Sequence, residues 1–329
     1  MTASPGDEET NPIFLPGSTT PSSRLTLQHT LQGHTSVVMS AAWSPDGLRL
    51  ASGSHDETVR VWEVSSGRLL QTLEGPTDWV ISLAWSSDGL RLTCGSAKNT
   101  VGVWEISSGR LLWRVVGHTG WVTSVAWSPD GLWLASGSYD HTIRIWEADS
   151  GRLARTLEGH TGQVESVAWS PNGKWLASGA NDHTVRIWET SSGRLLHTLA
   201  GHRGRIKSVA WSPDGLRLAS GSGDTTVHIW ETSSGRVLQR LEGATGQVYR
   251  MAWSPDGRWL VCSYHYGDFN SEISIWRTDI WESVAVITGV YDVMAWHPHL
   301  TQLTTIAQRR PEDLLLWQMD RSDLFFLHP

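Results

Sequence analysis

An all-β propeller is the fold class this sequence predicts. Three observations lead there: a strict 42-residue repeat, short alternating apolar runs bounded by turn residues, and a tryptophan at two fixed points of each unit. Gly33 opens the first legible unit and recurs as Gly75, Gly117, Gly159, Gly201 and Gly243 at that interval. Residues 117–158 and 159–200 agree at about 30 of 42 positions, which is internal repetition and not shared composition.

Each unit reads in the same order. A Gly-His start leads into an alternating stretch that ends in Ala-Trp and predicts strand a. A Ser-Pro-Asp-Gly turn follows, then Leu-Ala-Ser-Gly-Ser as strand b. Thr-Val-Arg-Ile-Trp-Glu gives strand c, and after a Ser-Ser-Gly-Arg turn Leu-Leu-x-Thr-Leu gives strand d. One such four-stranded antiparallel sheet cannot bury both its faces, whereas several packed around an axis can. Strand a ends at Trp43, Trp85, Trp127, Trp169, Trp211, Trp253 and Trp296, and strand c carries Trp62, Trp104, Trp146, Trp188, Trp230, Trp276 and Trp317. Both series give a seven-bladed β-propeller whose tryptophans are mostly core.

The last units depart from the pattern. An insertion, Ser263 to Asn270, falls in the b–c loop of blade six, and the entry to a degenerate blade seven is short. Residues 24–32 align with strand d of later units, for example His29-Thr30-Leu31 with His197-Thr198-Leu199, although no strand c precedes them. They are expected to pair with the strand carrying Trp317 and so close the ring, with Leu324-Phe325-Phe326-Leu327 as the competitor for that edge.

The Gly-His start and the Trp-Glu ending strand c, as in Trp62-Glu63 and Trp188-Glu189, resemble the WD-repeat family, with Glu where its second signature residue is usually Asp. The resemblance covers residues 24 to about 322. It implies a buried hydrogen-bonded tetrad of Trp, Ser, His and Asp in each complete blade. The matching sets are His34, Ser52, Asp56, Trp62; His118, Ser136, Asp140, Trp146; His160, Ser178, Asp182, Trp188; and His202, Ser220, Asp224, Trp230. A hydrolase triad would use the same residue types, but an enzyme needs one active site and here the set recurs around a ring. Joined in series, these groups satisfy one another. Blade two keeps only Trp104, with Pro76, Cys94 and Lys98 in the other places, and blade six has Ala244 and Cys262.

Composition narrows the rest. Residues 1–23 are rich in Pro, Ser, Thr and Gly, carry Asp7, Glu8 and Glu9, and read as a disordered tail before a single propeller over 24–329. The sequence shows no secretory signal and no apolar run of membrane-spanning length, so a soluble, cytoplasmic, monomeric propeller is expected, without membrane contact. The net charge of −7 argues against nucleic acid. Cys94 and Cys262 fall on non-adjacent blades, which rules out a disulfide between them. His297-Pro298-His299 reads as a solvated turn, Asp140-His141 and Asp182-His183 lack a third ligand, and Cys94 takes the place of a buried serine. No metal, cofactor or catalytic residue is expected.

Positions that vary between units carry the specificity. Around the ring these are Val37 and Met39, Trp79 and Ile81, Trp121 and Thr123, Gln163 and Glu165, Arg205 and Lys207, and Gln247 and Tyr249, together with His55, Ala97, Tyr139, Asn181 and Gly223 before the tetrad aspartate. In the family that these units resemble, such positions usually touch partners. An apolar and aromatic arc (Val37, Met39, Trp79, Trp121, Tyr139, Tyr249, Tyr264, Tyr266) faces a polar one (Glu165, Arg205, Lys207), and Ile81 is counted with them among the partner-binding residues. The expected function is a non-enzymatic scaffold that binds a protein or peptide at this mouth. The alternatives are a carbohydrate- or small-ligand-binding propeller and, behind it, an enzyme on a propeller scaffold. The opposite face repeats Asp46, Asp130 and Asp214 beside Arg68, Arg152 and Arg194, which reads as self-compensated turn chemistry.

Overall fold

The computed structural model describes residues 25–74, 78–243, 246–266, 271–288, 291–297, 302–306 and 311–319. The expected tail, Pro76, Ala244, Gly267 to Asn270, Pro298, His299 and the segment Leu324 to Leu327 lie outside these residues. Every regular element among the described residues is a β-strand.

After β1 (Leu25–Leu31), the strands fall into groups of four. Blade one is β2 (Val38–Trp43), β3 (Arg49–Ser54), β4 (Val59–Glu63) and β5 (Leu69–Leu73). Blade two is β6 (Val80–Trp85), β7 (Arg91–Ser96), β8 (Thr100–Glu105) and β9 (Leu111–Val116). Blade three is β10 (Val122–Trp127), β11 (Trp133–Ser138), β12 (Ile143–Glu147) and β13 (Leu153–Leu157). Blade four is β14 (Val164–Trp169), β15 (Trp175–Ala180), β16 (Thr184–Glu189) and β17 (Leu195–Ala200). Blade five is β18 (Ile206–Trp211), β19 (Arg217–Ser222), β20 (Val227–Glu231) and β21 (Val237–Leu241). Blade six is β22 (Gln247–Trp253), β23 (Trp259–His265), β24 (Ser271–Arg277) and β25 (Glu282–Thr288). The remaining strands are β26 (Tyr291–Trp296), β27 (Gln302–Ile306) and β28 (Leu314–Met319).

The expectation of seven blades is corrected to six blades of the repeat, each four consecutive antiparallel strands. The sheet that completes the ring is of different make. It runs in the order β1-β28-β27-β26, drawing on both ends of the described chain, and its β26–β27 ladder loses register between Tyr291 and Ala295. Leu27 lies opposite Trp317 and Leu31 opposite Leu314, with a bulge between Leu27 and His29. The first strands of the blades touch in order from β2 to β22, and β26 touches both β22 and β2.

The core lies between blades. Ala51, Val59, Val61 and Leu73 of blade one pack with Val80, Leu83, Trp85, Leu92 and Trp104 of blade two, and the same layering joins blade three to blade four. Burying each such side chain stabilises by about 1.5–3 kcal/mol. The tryptophan ending strand a adds a directional link. Its indole nitrogen donates to the alanine carbonyl of the preceding blade, Trp85 to Ala42 at 2.8 Å, Trp169 to Ala126 at 3.0 Å and Trp253 to Ala210 at 3.0 Å. Trp43 makes this bond to Ala295 of the closing sheet at 3.0 Å.

Candidate functional site: the propeller mouth

Four blades carry a closed hydrogen-bond chain at one end. In blade four Trp188 Nε1 donates to Ser178 Oγ at 2.8 Å, His160 Nε2 lies 2.8 Å from the same hydroxyl, and His160 Nδ1 lies 2.8 Å from Asp182 Oδ2. The second oxygen of Asp182 accepts from the amide and hydroxyl of Thr184, and Oδ2 also takes the amide of Thr161. The same distances, within 0.2 Å, link His34, Ser52, Asp56 and Trp62, then His118, Ser136, Asp140 and Trp146, then His202, Ser220, Asp224 and Trp230. Burial lowers the His34 and His160 pKa values against the pull of their aspartates, so both rings stay neutral. Asp56 is held at about 2: burial works to raise it, and the donors from Thr58, Thr35 and His34 outweigh that effect. The proton order is therefore Trp N–H to Ser, Ser O–H to His, and His N–H to Asp. All four serines are fully buried, and each oxygen already accepts an indole N–H, so none is presented as a nucleophile.

Departures follow from the missing members. In blade two, with Cys94 in place of serine, the Trp104 indole donates to the Glu74 carbonyl at 3.4 Å instead, and burial pushes the Cys94 thiol up to about 12. Lys98 pairs with Asp78 at 3.8 Å. In blade six Tyr264 fills the gap: it is buried in β23, and its hydroxyl oxygen accepts from Trp276 Nε1 at 3.3 Å. The expectation that Tyr264 belongs to an exposed loop and the aromatic arc is thus corrected, because an inward-facing position on a strand takes it into the core beside Cys262. Cys262 is likewise buried and its thiol is pushed up to about 12.

The variable positions are brought together by a recurrent backbone link. The amide of His55 donates to the Val37 carbonyl, Ala97 to Trp79, Tyr139 to Trp121, Asn181 to Gln163 and Gly223 to Arg205, at 2.8–3.1 Å. Two residues on, strand a slips register against strand b in all six blades, leaving Met39, Ile81, Thr123, Glu165, Lys207 and Tyr249 as the bulged residues. A bulge re-aims its side chain, and repetition around the ring places these six on the innermost strands.

Across blades one to three the variable side chains form a continuous aromatic run. His55 stacks on Trp79 with ring centres 4.1 Å apart, Trp79 meets Trp121 edge-on at 5.9 Å, and Trp121 stacks on Tyr139 at 5.5 Å. Trp79 and Trp121 remain 39 % and 41 % exposed. Val37, Met39 and Ile81 are half-buried beside them. The polar arc is partly closed on itself: Lys207 Nζ lies 3.4 Å from Glu165 Oε1 and 5.7 Å from the Tyr249 ring centre. Arg205 is exposed. Burial raises the Tyr139 pKa, reinforced by Glu165 and Tyr249 and opposed by Arg205, so its hydroxyl remains a donor on the rim shared by both arcs. His55 was readable in the sequence as a variable position, but only the stacking geometry makes it part of the run.

The opposite face pairs differently from the expectation. Asp46 lies 3.5 Å from Arg49, and Arg68 and Arg194 each lie 3.9 Å from the strand-c glutamates Glu63 and Glu189, as Arg152 does with Glu147 at closer range. Asp46 and Arg68 belong to different turns, and each finds its counter-charge locally. His297 packs edge-on against Trp43 and lies 3.2 Å from the Gly47 carbonyl, and no group of three or more metal-ligating side chains occurs among the described residues. No helix among the described residues is long and apolar enough to cross a membrane.

Two family profiles match. One described as the IFT122 first beta-propeller covers residues 139–324, and one described as WD domain, G-beta repeat, covers 25–63, 67–105 and 109–147. Over 38 residues the chain is 55 % identical to the vegetative incompatibility protein HET-E-1 of Podospora anserina, 12 % of this chain and 3 % of that protein. It is 40 % identical over 72 residues to Protein Mut11 of Chlamydomonas reinhardtii, 20 % of each chain. With the WD repeat, SAM and U-box domain-containing protein 1 of Danio rerio it shares 49 % over 47 residues, 14 % of this chain and 10 % of that one. The chain thus spans between 3 % and 20 % of the lengths of these relatives.

Proposed function

Since the chain belongs to the WD-repeat β-propeller family, we propose that it is a protein-interaction scaffold that takes a peptide segment across the mouth. The observation that carries this reading is the exposed aromatic run His55–Trp79–Trp121–Tyr139 on consecutive blades, set against an otherwise repetitive scaffold. Trp and Tyr flanking a concavity are the composition of an interaction hot spot. Arg205 faces solvent, while Lys207 is engaged by Glu165, so the cation offered to a partner is Arg205 and the complementary segment joins an apolar or aromatic anchor to a carboxylate. A sugar-stacking role fits less well, because one face of Trp79 is covered by His55 and one face of Trp121 by Tyr139.

Peptide selection on the immobilised protein tests this. An acidic consensus with an aromatic anchor is expected, and Trp121→Ala with Arg205→Glu should weaken binding of the selected peptide by thirtyfold or more, roughly the 2 kcal/mol of a central hot spot, with circular dichroism and melting unchanged. Binding that survives this pair but is lost on replacing Arg68 and Arg152 moves the site to the opposite face.

A further inference from the structure

The seam where the ring closes is built differently from the seams between repeats. At four of the latter, the side chain that opens strand b covers the strand-a tryptophan of the next blade. Arg49 lies over Trp85 at 4.9 Å, Arg91 over Trp127 at 4.8 Å and Arg217 over Trp253 at 5.3 Å, while Trp175 stacks on Trp211 at 6.0 Å. The closing sheet has Gln302 at this position, at the start of β27, and a glutamine is shorter and uncharged. A cavity of about 550 Å³ opens at that seam, lined by Gln302 and His297 on one side and by Leu48, Val64, Ser65 and Leu70 of blade one on the other. Leu48 and Leu70 are 67 % and 41 % exposed, so the blade-one wall is apolar surface that lacks a cover among the described residues.

The end of β28 leads to this cavity. Trp317-Gln318-Met319 hold the repeat position of Trp62-Glu63-Val64, so the chain leaves β28 at the end of the ring where Val64 lines the cavity. Gln318 pairs with Gln302 across one strand spacing, roughly 5 Å. Beyond Met319 the sequence runs Asp320-Arg321-Ser322-Asp323 and then Leu324-Phe325-Phe326-Leu327. The stretch from Met319 to Leu324 spans up to about 17 Å, enough to pass Gln302 and enter the cavity. The edge that this apolar run would compete for is taken, since β1 pairs with β28 from Leu25↔Met319 to Leu31↔Leu314. Consecutive large apolar residues denied that edge need another cover. A tether this short holds them at roughly millimolar effective concentration, which favours them over a free partner.

We propose that Leu324-Phe325-Phe326-Leu327 folds back into this cavity and packs on Leu48, Val64 and Leu70. The segment after β28 then braces the closing sheet against blade one, where β1 already touches it: His29 Nε2 lies 3.2 Å from the Ser65 carbonyl.

Thiol footprinting of the full chain tests this. Ser65 lines the cavity, Ser191 holds the same turn position in blade four, and both face solvent among the described residues. Cys94 and Cys262 are buried, so only a new thiol reacts. Ser65→Cys should react with a polar maleimide about tenfold more slowly than Ser191→Cys. Phe325→Ser with Phe326→Ser should bring the two rates together, with circular dichroism unchanged. The first comparison leaves the apolar segment intact and does not depend on how the Phe variant folds. Equal rates with the segment intact, or slow reaction at Ser65→Cys that outlasts the Phe substitutions, overturns the proposal. Slow reaction abolished only by Phe14→Ser assigns the cavity to Ile13-Phe14-Leu15, and slow reaction that appears only as the concentration rises from about 1 to 100 µM assigns it to a second copy. Either result also overturns it.

Discussion

The Trp188 indole donates to Ser178 Oγ at 2.8 Å, and that single bond turns a Ser-His-Asp arrangement with the look of a catalytic relay into a closed structural circuit. The hydroxyl gives its proton to His160 and receives the indole's, which leaves it nothing to offer a substrate. His160→Ala should therefore act on stability, lowering it by about 1–3 kcal/mol in urea denaturation because Ser178 and Asp182 lose a buried partner. An unchanged denaturation midpoint would contradict the structural role and reopen a functional one for these histidines.

Acid should destabilise the protein in two stages. Burial lowers His34 and His160 below the ordinary 6.5 and takes His228 to about 4, with His202 stacked 3.8 Å away and Arg240 adding to the effect. Between 6.5 and these folded values the unfolded chain binds more protons, so this contribution is complete above 6.5 and declines as pH falls toward 4. Asp56 works in the next window. Its contribution is present above the ordinary 3.8 and is lost as pH falls through the folded value of about 2. Urea midpoints from neutrality down to pH near 4 should fall steadily, and His228→Gln should make the decline shallower.

Thr225 sits in the left-handed region at φ 71°, immediately after the tetrad aspartate of blade five. The same turn position is filled by Asn99 in blade two, a residue that tolerates this conformation, whereas a β-branched side chain is strained there. Thr225→Asn should stabilise by roughly 0.5–1 kcal/mol. A destabilised variant in thermal melting would mean that the threonine makes a compensating contact.

Deleting residues 1–32 removes β1 and the ladder from Leu25↔Met319 to Leu31↔Leu314, together with the 3.0 Å bond from Gln32 to Asp313. β28 then becomes an open edge. The truncated chain should melt at lower temperature and aggregate on heating, as followed by light scattering. Unchanged melting would show that the pairing contributes nothing in solution.

The 42-residue period made strand positions, the inward tryptophans and the tetrad sets readable, because each rests on local alternation and spacing. Other features depend on distances no spacing encodes. The bond from Trp85 to Ala42 crosses between blades, and nothing in the Ala-Trp pair marks it. Likewise the stack of His55 on Trp79 joins residues of neighbouring units, and Tyr264 looks like part of a loop insertion until strand register turns it inward. The closing sheet takes its strands from opposite ends of the described chain, a pairing that the likeness of residues 24–32 to strand d made readable, whereas the lost register between β26 and β27 shows only in three dimensions.

That sheet also sets the order of events during folding. Each repeat blade can zip up from neighbours in sequence, but Gln32 and Asp313 are 281 residues apart, and their meeting awaits a properly curved row of six blades. Loop closure over such a separation is slow and entropically costly. The chain should therefore pass through an open, crescent-like intermediate whose two free flanks, β2 and β22, are competent to recognise β26 or the flank of another crescent. Ring closure is the kinetic step at which intramolecular assembly competes with polymerisation, and protein concentration during refolding decides the outcome.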